Sequence, residues 1–364
     1  MKKSNTKYDL VERSISTFLQ HTMRTVYGLL PGCSYDQLFT RALSGDELSF
    51  DILMAWKPDY SLPSELFALE FQSVTMVQSY PHYPFSTDKS RKAAAIADFY
   101  WCEDICTQHV HAINESQDIR NALEKQAVLI SKILGKAPDL ETLEPFHGSG
   151  ASVDARGVHK HALVKAHCTG ISRSAMQLSN CLLNNPFMNL SVDKYGFDIR
   201  DSALFTTVSK NCLTDRGIEI GASLNTAIQQ PVRVAMERRL EKVGIYISSH
   251  HDPLNDWIRN GKLSFNRSEQ LTPERHGELA RLGSIDGSFA TIDVKSSSNL
   301  LAHVLIQHLL AKSDPMWYDY FDLTRHSTVT IEGQTVKLVK GAGMGNAIVF
   351  PLQTLIYYTA CKTA

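Results

Sequence analysis

The chain is poor in the features that mark special classes of protein. Its 364 residues contain no apolar run near the roughly 20 residues that a membrane-spanning helix needs. Seven cysteines, at 33, 102, 106, 168, 181, 212 and 361, are scattered along the chain. They form no disulfide framework, and free thiols in a reducing cytoplasm are expected. Glycine (20) and proline (13) are too few for a collagen or a wholly disordered chain. An excess of charge of one sign is also missing: 37 Lys and Arg face 38 Asp and Glu, a net charge of -1. That excludes a protein that coats nucleic acid by bulk attraction, although the field inside a cleft depends on local charge. Met1-Lys2-Lys3 is basic, but polar Ser4-Asn5-Thr6-Lys7 follows where a secretory signal needs an apolar core. There is no internal repeat and no low-complexity segment. What is present is 43% hydrophobic and 21% charged, an ordinary soluble chain long enough for two or three domains around a sizeable core.

The first 140 residues read as helical. Leu10, Val11, Ile15, Phe18, Leu19, Met23 and Val26 recur at helical spacing between Tyr8 and Leu30. Pro63-Ser64 before Glu65-Leu66-Phe67 predicts a helix start with Ser64 as the cap. Arg91 to Ile113 and Ser116 to Leu134 continue the pattern, and Gly135 with Pro138 predicts a stop. Pro145 to Ser152 is a Gly/Ser loop. Beyond residue 203 strands appear between helices: Leu204 to Val208, then Phe289-Ala290-Thr291-Ile292 ending at Asp293. Helices are expected over Asn225 to Val243, with Pro231 inside, and over Asn299 to Leu310. Thr328 to Val339 alternates around Glu332-Gly333-Gln334, a hairpin signal. Gly341-Ala342-Gly343-Met344-Gly345-Asn346 is a glycine-rich loop, with an apolar helix from about Ile348.

The chemistry is concentrated in the last ninety residues. An aspartate just past a buried strand is well placed to hold a divalent cation, because Mg²⁺ takes one or two carboxylates together with substrate phosphates. A glycine-rich loop entering a helix lets backbone approach a sugar-phosphate closely. Each feature alone has a plain structural reading, a helix cap for Asp293 and a flexible turn for the glycines. Strand, aspartate, helix, hairpin, glycine loop and helix in that order are more specific.

Phe289 to Asn299, with Asp293 inside, resembles motif A of the RNA-dependent RNA polymerases of single-stranded RNA bacteriophages, the replicase β subunit of the Leviviricetes. Ile331 to Lys337, through Met344-Gly345-Asn346 to Thr354, resembles the hairpin and motif B of that family. Thr207-Val208-Ser209-Lys210-Asn211-Cys212-Leu213-Thr214-Asp215-Arg216-Gly217-Ile218 is similar to motif F, and His147-Gly148-Ser149-Gly150-Ala151 to an HGxGA element. The resemblance implies an α+β right-hand polymerase, with a mostly helical N-terminal and fingers region over 1–275 and an antiparallel-sheet palm over 276–364. It implies RNA-directed RNA synthesis by two-metal nucleotidyl transfer, with Asp293 as catalytic carboxylate and metal ligand and two Mg²⁺ ions as cofactors. Lys210 and Arg216 would hold the triphosphate, and Asn299, Gly345 and Asn346 the rest of the nucleotide. Asn346 suits a ribose 2′-OH because an amide donates and accepts. Ser296, Ser297 and Ser298 leave room for that hydroxyl. Template RNA and nucleoside triphosphates are the implied ligands. Host elongation factors Tu and Ts and a small-subunit ribosomal protein are the family's partners. The place of action would be the cytoplasm of the bacterial host, with no membrane.

The window 203–242 holds six basic and four acidic residues. Its Arg233, Arg238, Arg239 and Lys242 fit two roles, tracking template phosphates or forming the exposed face of a helix. Three departures from the family stand out. Asn299 replaces a second motif A aspartate, and Leu213 replaces a second motif F lysine. The Gly-Asp-Asp hairpin of motif C has no counterpart before Ala364. The expectation is therefore a C-terminally truncated replicase without its thumb, inactive as residues 1–364 alone. The alternative is a non-catalytic RNA-binding remnant. Cys102 and Cys106, with His159, His161, His167 and Cys168, lack the paired close spacing of a structural zinc site, and neither GxSxG nor HExxH occurs.

Overall fold

A computed structural model describes residues 6–27, 35–59, 61–80, 82–148, 150–157, 161–247, 273–290, 292, 294–341 and 343–364. They form two compact units, Met1–Asp98 with Thr207–Gly217, and Phe99–Thr206 with Ile218–Ala364. This division differs from the border at 275/276 drawn between motif-bearing segments. Among the described residues no helix is long and apolar enough to cross a membrane.

The first unit is helical: α1 (Thr6–Tyr27), α2 (Tyr35–Leu43), α3 (Glu47–Ala55), α4 (Ser64–Ser79) and the start of α5 (Asp88–Glu115). Ile15, Leu19 and Met23 repeat at four-residue steps on α1 and bury one stripe against Phe39, Leu53 and Val77. Ser64 is the first helical residue of α4 rather than its cap, and Pro63 takes the cap position. The reason is local: proline's fixed φ suits the helix entrance. Cys212 belongs to the same core. Its N–H donates to the Gln78 carbonyl at 3.0 Å, and its own carbonyl accepts from the Ser86 hydroxyl at 2.5 Å. The segment 207–217 is thereby fixed within the first unit.

The second unit holds α6 (Gln117–Leu134), α7 (Ala162–Lys165), α8 (Pro186–Tyr195), α9 (Ser223–Glu241), α10 (Pro273–Asp286), α11 (His303–Leu310), α12 (Pro315–Thr324) and α13 (Val349–Thr363). α6 starts and stops where its sequence directs. The Ser116 hydroxyl accepts from the Ile119 N–H, and Gly135 takes a positive φ of 57° at the end. The core runs through Ile130, Leu134, Ile228, Val232, Leu309, Trp317, Phe321 and Leu352.

β1 (Gly170–Ile171) pairs in parallel with β2 (Asp198–Ile199). The larger sheet has the order β4 (Asp215–Ile220), β3 (Ser202–Ser209), β5 (Thr328–Ile331), β6 (Gln334–Lys337). β5 and β6 form the expected hairpin, closed by Glu332 and Gly333 at φ 48° and 85°. Positive φ at both positions is the turn whose twist matches the strands. The sheet is mixed, however, not purely antiparallel. β3 and β5 run parallel, with Ser202 opposite Thr328. The long connection between them carries helices, and such a crossover permits parallel pairing.

Two expectations fail locally. Phe289, Ala290 and Ile292 are in no strand, and Ile292 is 87% exposed. None of the described strands pairs with this segment, so its apolar residues gain no ladder and no cover. The helix expected from Asn299 begins only at His303. Ser297–Leu300 is a tight 3₁₀ turn, and Ala302 breaks away to bridge Lys340.

Trp317 is fully buried, and its indole N–H donates to the Gly135 carbonyl at 3.0 Å. Trp317→Ala leaves both a large cavity and an unpaired carbonyl. A loss of about 3–5 kcal/mol is expected, to be read from urea unfolding monitored by circular dichroism.

Candidate nucleotide site

Helix α9 is the beam on which the site is built. Its first turn is capped from outside by Asp154, whose carboxylate accepts from the Ser223 N–H at 3.1 Å, the Ser223 hydroxyl at 2.6 Å and the Gly170 N–H at 2.9 Å. Pro231 has no N–H to offer the Ala227 carbonyl one turn back. The Phe146 N–H donates to that carbonyl instead, at 3.4 Å. The loop of His147 and Gly148 is thus held on α9, where a Cβ on Gly148 would meet the Gln230 amide nitrogen at 2.9 Å. Lys165 is buried and donates to the Gly148 carbonyl at 2.6 Å. Burial, with the Lys165 charge beside it, pushes the His147 pKa down to about 4.

Two buried amides on α9 reach across the unit. Asn225 donates to the Thr324 carbonyl at 2.9 Å and accepts from the Ser172 N–H at 2.8 Å. Gln229 donates to the same carbonyl at 2.9 Å and accepts from the Ala347 N–H at 3.1 Å. The second bond ties α9 to the end of the glycine-rich loop. His326 accepts from the Ala222 N–H at 3.0 Å, and its other ring nitrogen lies 3.1 Å from the Asp201 carbonyl. The two partners fix a neutral tautomer, and burial lowers its pKa.

Asn225, Gln229 and His326 line a shallow, open cleft, together with Glu219, Arg325, Gly343, Gly345 and Asn346. The glycines are there because Glu219 is. A Cβ on Gly343 would meet the Glu219 carboxylate at 2.3 Å, and one on Gly345 the Glu219 carbonyl oxygen at 2.1 Å. Gly345 also has φ 122°, a conformation that L side chains avoid. The Glu219 N–H donates to the Met344 carbonyl at 2.7 Å. The loop therefore lies flat on β4. Arg325, buried, donates to Asp322 at 2.8 Å and to the Gly341 carbonyl at 3.3 Å.

The Asn346 side-chain carbonyl accepts from the Ile348 N–H at 2.9 Å at the entrance of α13. That bond orients the amide and engages its acceptor, not its NH₂. Asn299 lies in the 3₁₀ turn, and its backbone carbonyl accepts from the Cys106 thiol at 3.5 Å. It does not line the cleft. The neighbouring Ser297 hydroxyl accepts from Gln353 of α13 at 2.8 Å, and Tyr357 donates to the Ser297 carbonyl at 3.3 Å. The serine turn after Asp293 is thus anchored to the helix that follows the glycine loop.

Asp293 itself lies outside the described residues. Lys210, between β3 and β4, and Arg216, on β4, are both exposed and belong to the first unit. On α9, Arg233 forms an ion pair with Glu237 at 2.6 Å. Arg239 donates to the Lys136 carbonyl at 2.7 Å. Arg238 and Lys242 are exposed at the end of the helix. Among the described residues no three His, Cys, Asp or Glu side chains cluster as a metal site.

Sequence reasoning missed Glu219, Lys340, Arg325 and His326. Sequence alternation pointed the other way for Glu219: in Ile218-Glu219-Ile220 the carboxylate takes the face opposite the two isoleucines, where solvent is expected, yet Glu219 is buried.

The model of the family described as RNA replicase, beta-chain, matches residues 46–364, and the chain belongs to that family. It is 27% identical over 212 residues to the RNA-directed RNA polymerase beta chain of Escherichia phage MS2, covering 58% of this chain and 32% of that one. It is 33% identical over 157 residues to the same-named chain of Enterobacteria phage GA, covering 43% and 25%. The RNA-directed RNA polymerase subunit beta of Enterobacteria phage SP is 26% identical over 318 residues, covering 82% and 49%. The matched part is about half or less of the length of these relatives.

Two predictions follow from the packing. In Gly345→Ala the new Cβ faces backbone on β4, which has little room to yield, in a strained φ. A stability loss of about 2 kcal/mol or more is expected from thermal unfolding. For His147 the folded pKa of about 4 lies below the ordinary imidazole value of 6.5. The unfolded chain then binds the extra proton first, so stability falls as pH drops from about 6.5 to 4. His147→Gln should flatten that part of a stability–pH profile by on the order of 2–3 kcal/mol.

Proposed function

We propose that the chain carries the nucleotide-selecting part of a phage RNA-directed RNA polymerase, in a palm of the right-hand type. The observation that supports this best is the Gln353–Ser297 bond. It joins the turn just past Asp293 to the helix that leaves the Asn346 loop, so the two motifs expected to meet one nucleotide belong to one packed unit. In this reading template RNA and nucleoside triphosphates are the ligands.

Asn346 donates its amide N–H to the ribose 2′-OH while its carbonyl stays on the Ile348 N–H. The small Ser296–Ser298 turn leaves space for the hydroxyl. Lys210 and Arg216 supply positive charge to the triphosphate, where charge-assisted hydrogen bonds are strongest. Asp293 is the proposed ligand of Mg²⁺, which when bound neutralises phosphate charge and activates the attacking hydroxyl. The described residues supply no acidic cluster to complete that site. Arg238 and Lys242, exposed on α9, are the remaining candidates for template phosphates. Arg233 and Arg239 already hold protein partners.

The test is template-directed nucleotide incorporation, in this chain and in one completed to the length of its relatives. Asp293→Asn is expected to abolish incorporation by the completed chain with an unchanged circular dichroism spectrum. Near-normal synthesis by that variant would remove Asp293 from the mechanism.

A further inference from the structure

The glycine loop is fixed on one side by a buried charge cluster that the sequence did not announce. Lys340, the residue before Gly341, is 2% exposed. Its ammonium lies 2.6 Å from a Glu219 carboxylate oxygen and 3.8 Å from one of Glu103, and 4.1 Å from the centre of the Phe99 ring. The second Glu103 oxygen accepts from the Val339 N–H at 2.6 Å and the Lys340 N–H at 3.4 Å. The two carboxylates come from α5 and β4, elements remote in sequence. An ammonium buried this deeply is tolerated only beside such partners.

The cluster is continuous with the loop. Glu219 contributes its carboxylate to Lys340, its N–H to the Met344 carbonyl, and a flat surface under Gly343 and Gly345. Both ends of the segment 340–344 are thus set by one residue of β4. Asn346 lies two residues further on, at the mouth of the cleft. A shift of the loop off Glu219 would move the Asn346 amide relative to α9, where Gln229 holds the next N–H.

We propose that Lys340 and Glu219 are positioning residues for ribose recognition: their buried pair holds the 341–346 loop so that the Asn346 amide faces the nucleotide sugar. This rests on the reading of Asn346 given above, and it adds a dependence that no contact with ligand would reveal. The pair acts through the loop, so its loss should affect the sugar preference rather than the triphosphate contacts.

Two measurements on the full chain test this. The first is hydrogen–deuterium exchange of the amides in 341–348, for wild type, Lys340→Met, Glu219→Gln and the double variant. Faster exchange in both single variants, with the double variant no worse than the more affected single one, is expected for a coupled pair. Glu219→Gln is nearly isosteric and carries the test if Lys340→Met fails to fold. The second is the ratio of dGTP to GTP dissociation constants, by competition in the presence of an oligocytidylate template and Mg²⁺. The variants should shrink the ratio roughly five- to tenfold, the size of one hydrogen bond, mostly through weaker GTP binding. Asn346→Asp, which keeps the acceptor and loses the donor, should shrink it similarly.

Unchanged exchange in the folded variants overturns the positioning role outright. Faster exchange with an unchanged ratio, while Asn346→Asp lowers it, also overturns the proposal and leaves the pair as simple loop support. If Asn346→Asp itself leaves the ratio unchanged, or wild type shows no preference for GTP, the reading of Asn346 fails and the proposal with it. The exchange result then still separates that failure from a failure of the pair.

Discussion

A helix that runs through a core must find outside partners for its end groups, for a carbonyl that a proline leaves open and for its buried polar side chains, and α9 meets that constraint at three points. Asp154 caps its start, Phe146 takes the carbonyl that Pro231 leaves open, and the Thr324 carbonyl receives both Asn225 and Gln229. Each satisfying group belongs to a different stretch of chain. The helix thereby fixes the His147 loop, the end of α12 and the entrance of α13 around one axis. Unpaired buried polar groups cost about 1–3 kcal/mol each, so these bonds exclude many alternative packings of the same apolar surface.

The cleft is the polar edge of that arrangement. Its walls are mostly groups already committed to protein partners: Asn225, Gln229, His326 and Arg325. Such a wall is rigid, because each side chain would lose a bond by moving. Asn346 differs, since one half of its amide is committed and the other half is a donor. A site that discriminates by a hydrogen bond gains from this division, because an analogue without the matching hydroxyl leaves the donor unpaired.

The chain belongs to the RNA replicase beta-chain family, and its described residues form a helix-rich α+β architecture. The similarity to the phage polymerases is modest, 27% and 26% in the MS2 and SP comparisons. At such identity local chemistry carries more information than the average. Gly343 and Gly345 stand where a Cβ would strike Glu219, a steric demand independent of ancestry.

Local sequence determined much of the secondary structure. Ser116 and Gly135 bound α6 by capping, and Glu332-Gly333 closes the β5–β6 hairpin because glycine next to a short turn tolerates positive φ. The glycine loop and the apolar helix after it were equally legible, since both depend on neighbours in the chain. Tertiary structure decided the rest. The run Phe289 to Ile292 has the composition of a strand, yet a strand exists only with a ladder partner, and among the described residues it has none. Leu301 and Ala302 break the helix expected from Asn299 because Ala302 bridges Lys340. The direction of β5 against β3 depends on the helical crossover that connects them. The Lys340 cluster joins positions 103, 219 and 340, and a lysine in sequence looks the same whether solvated or buried. Only the folded chain, by removing water from that ammonium, makes its two carboxylate partners necessary.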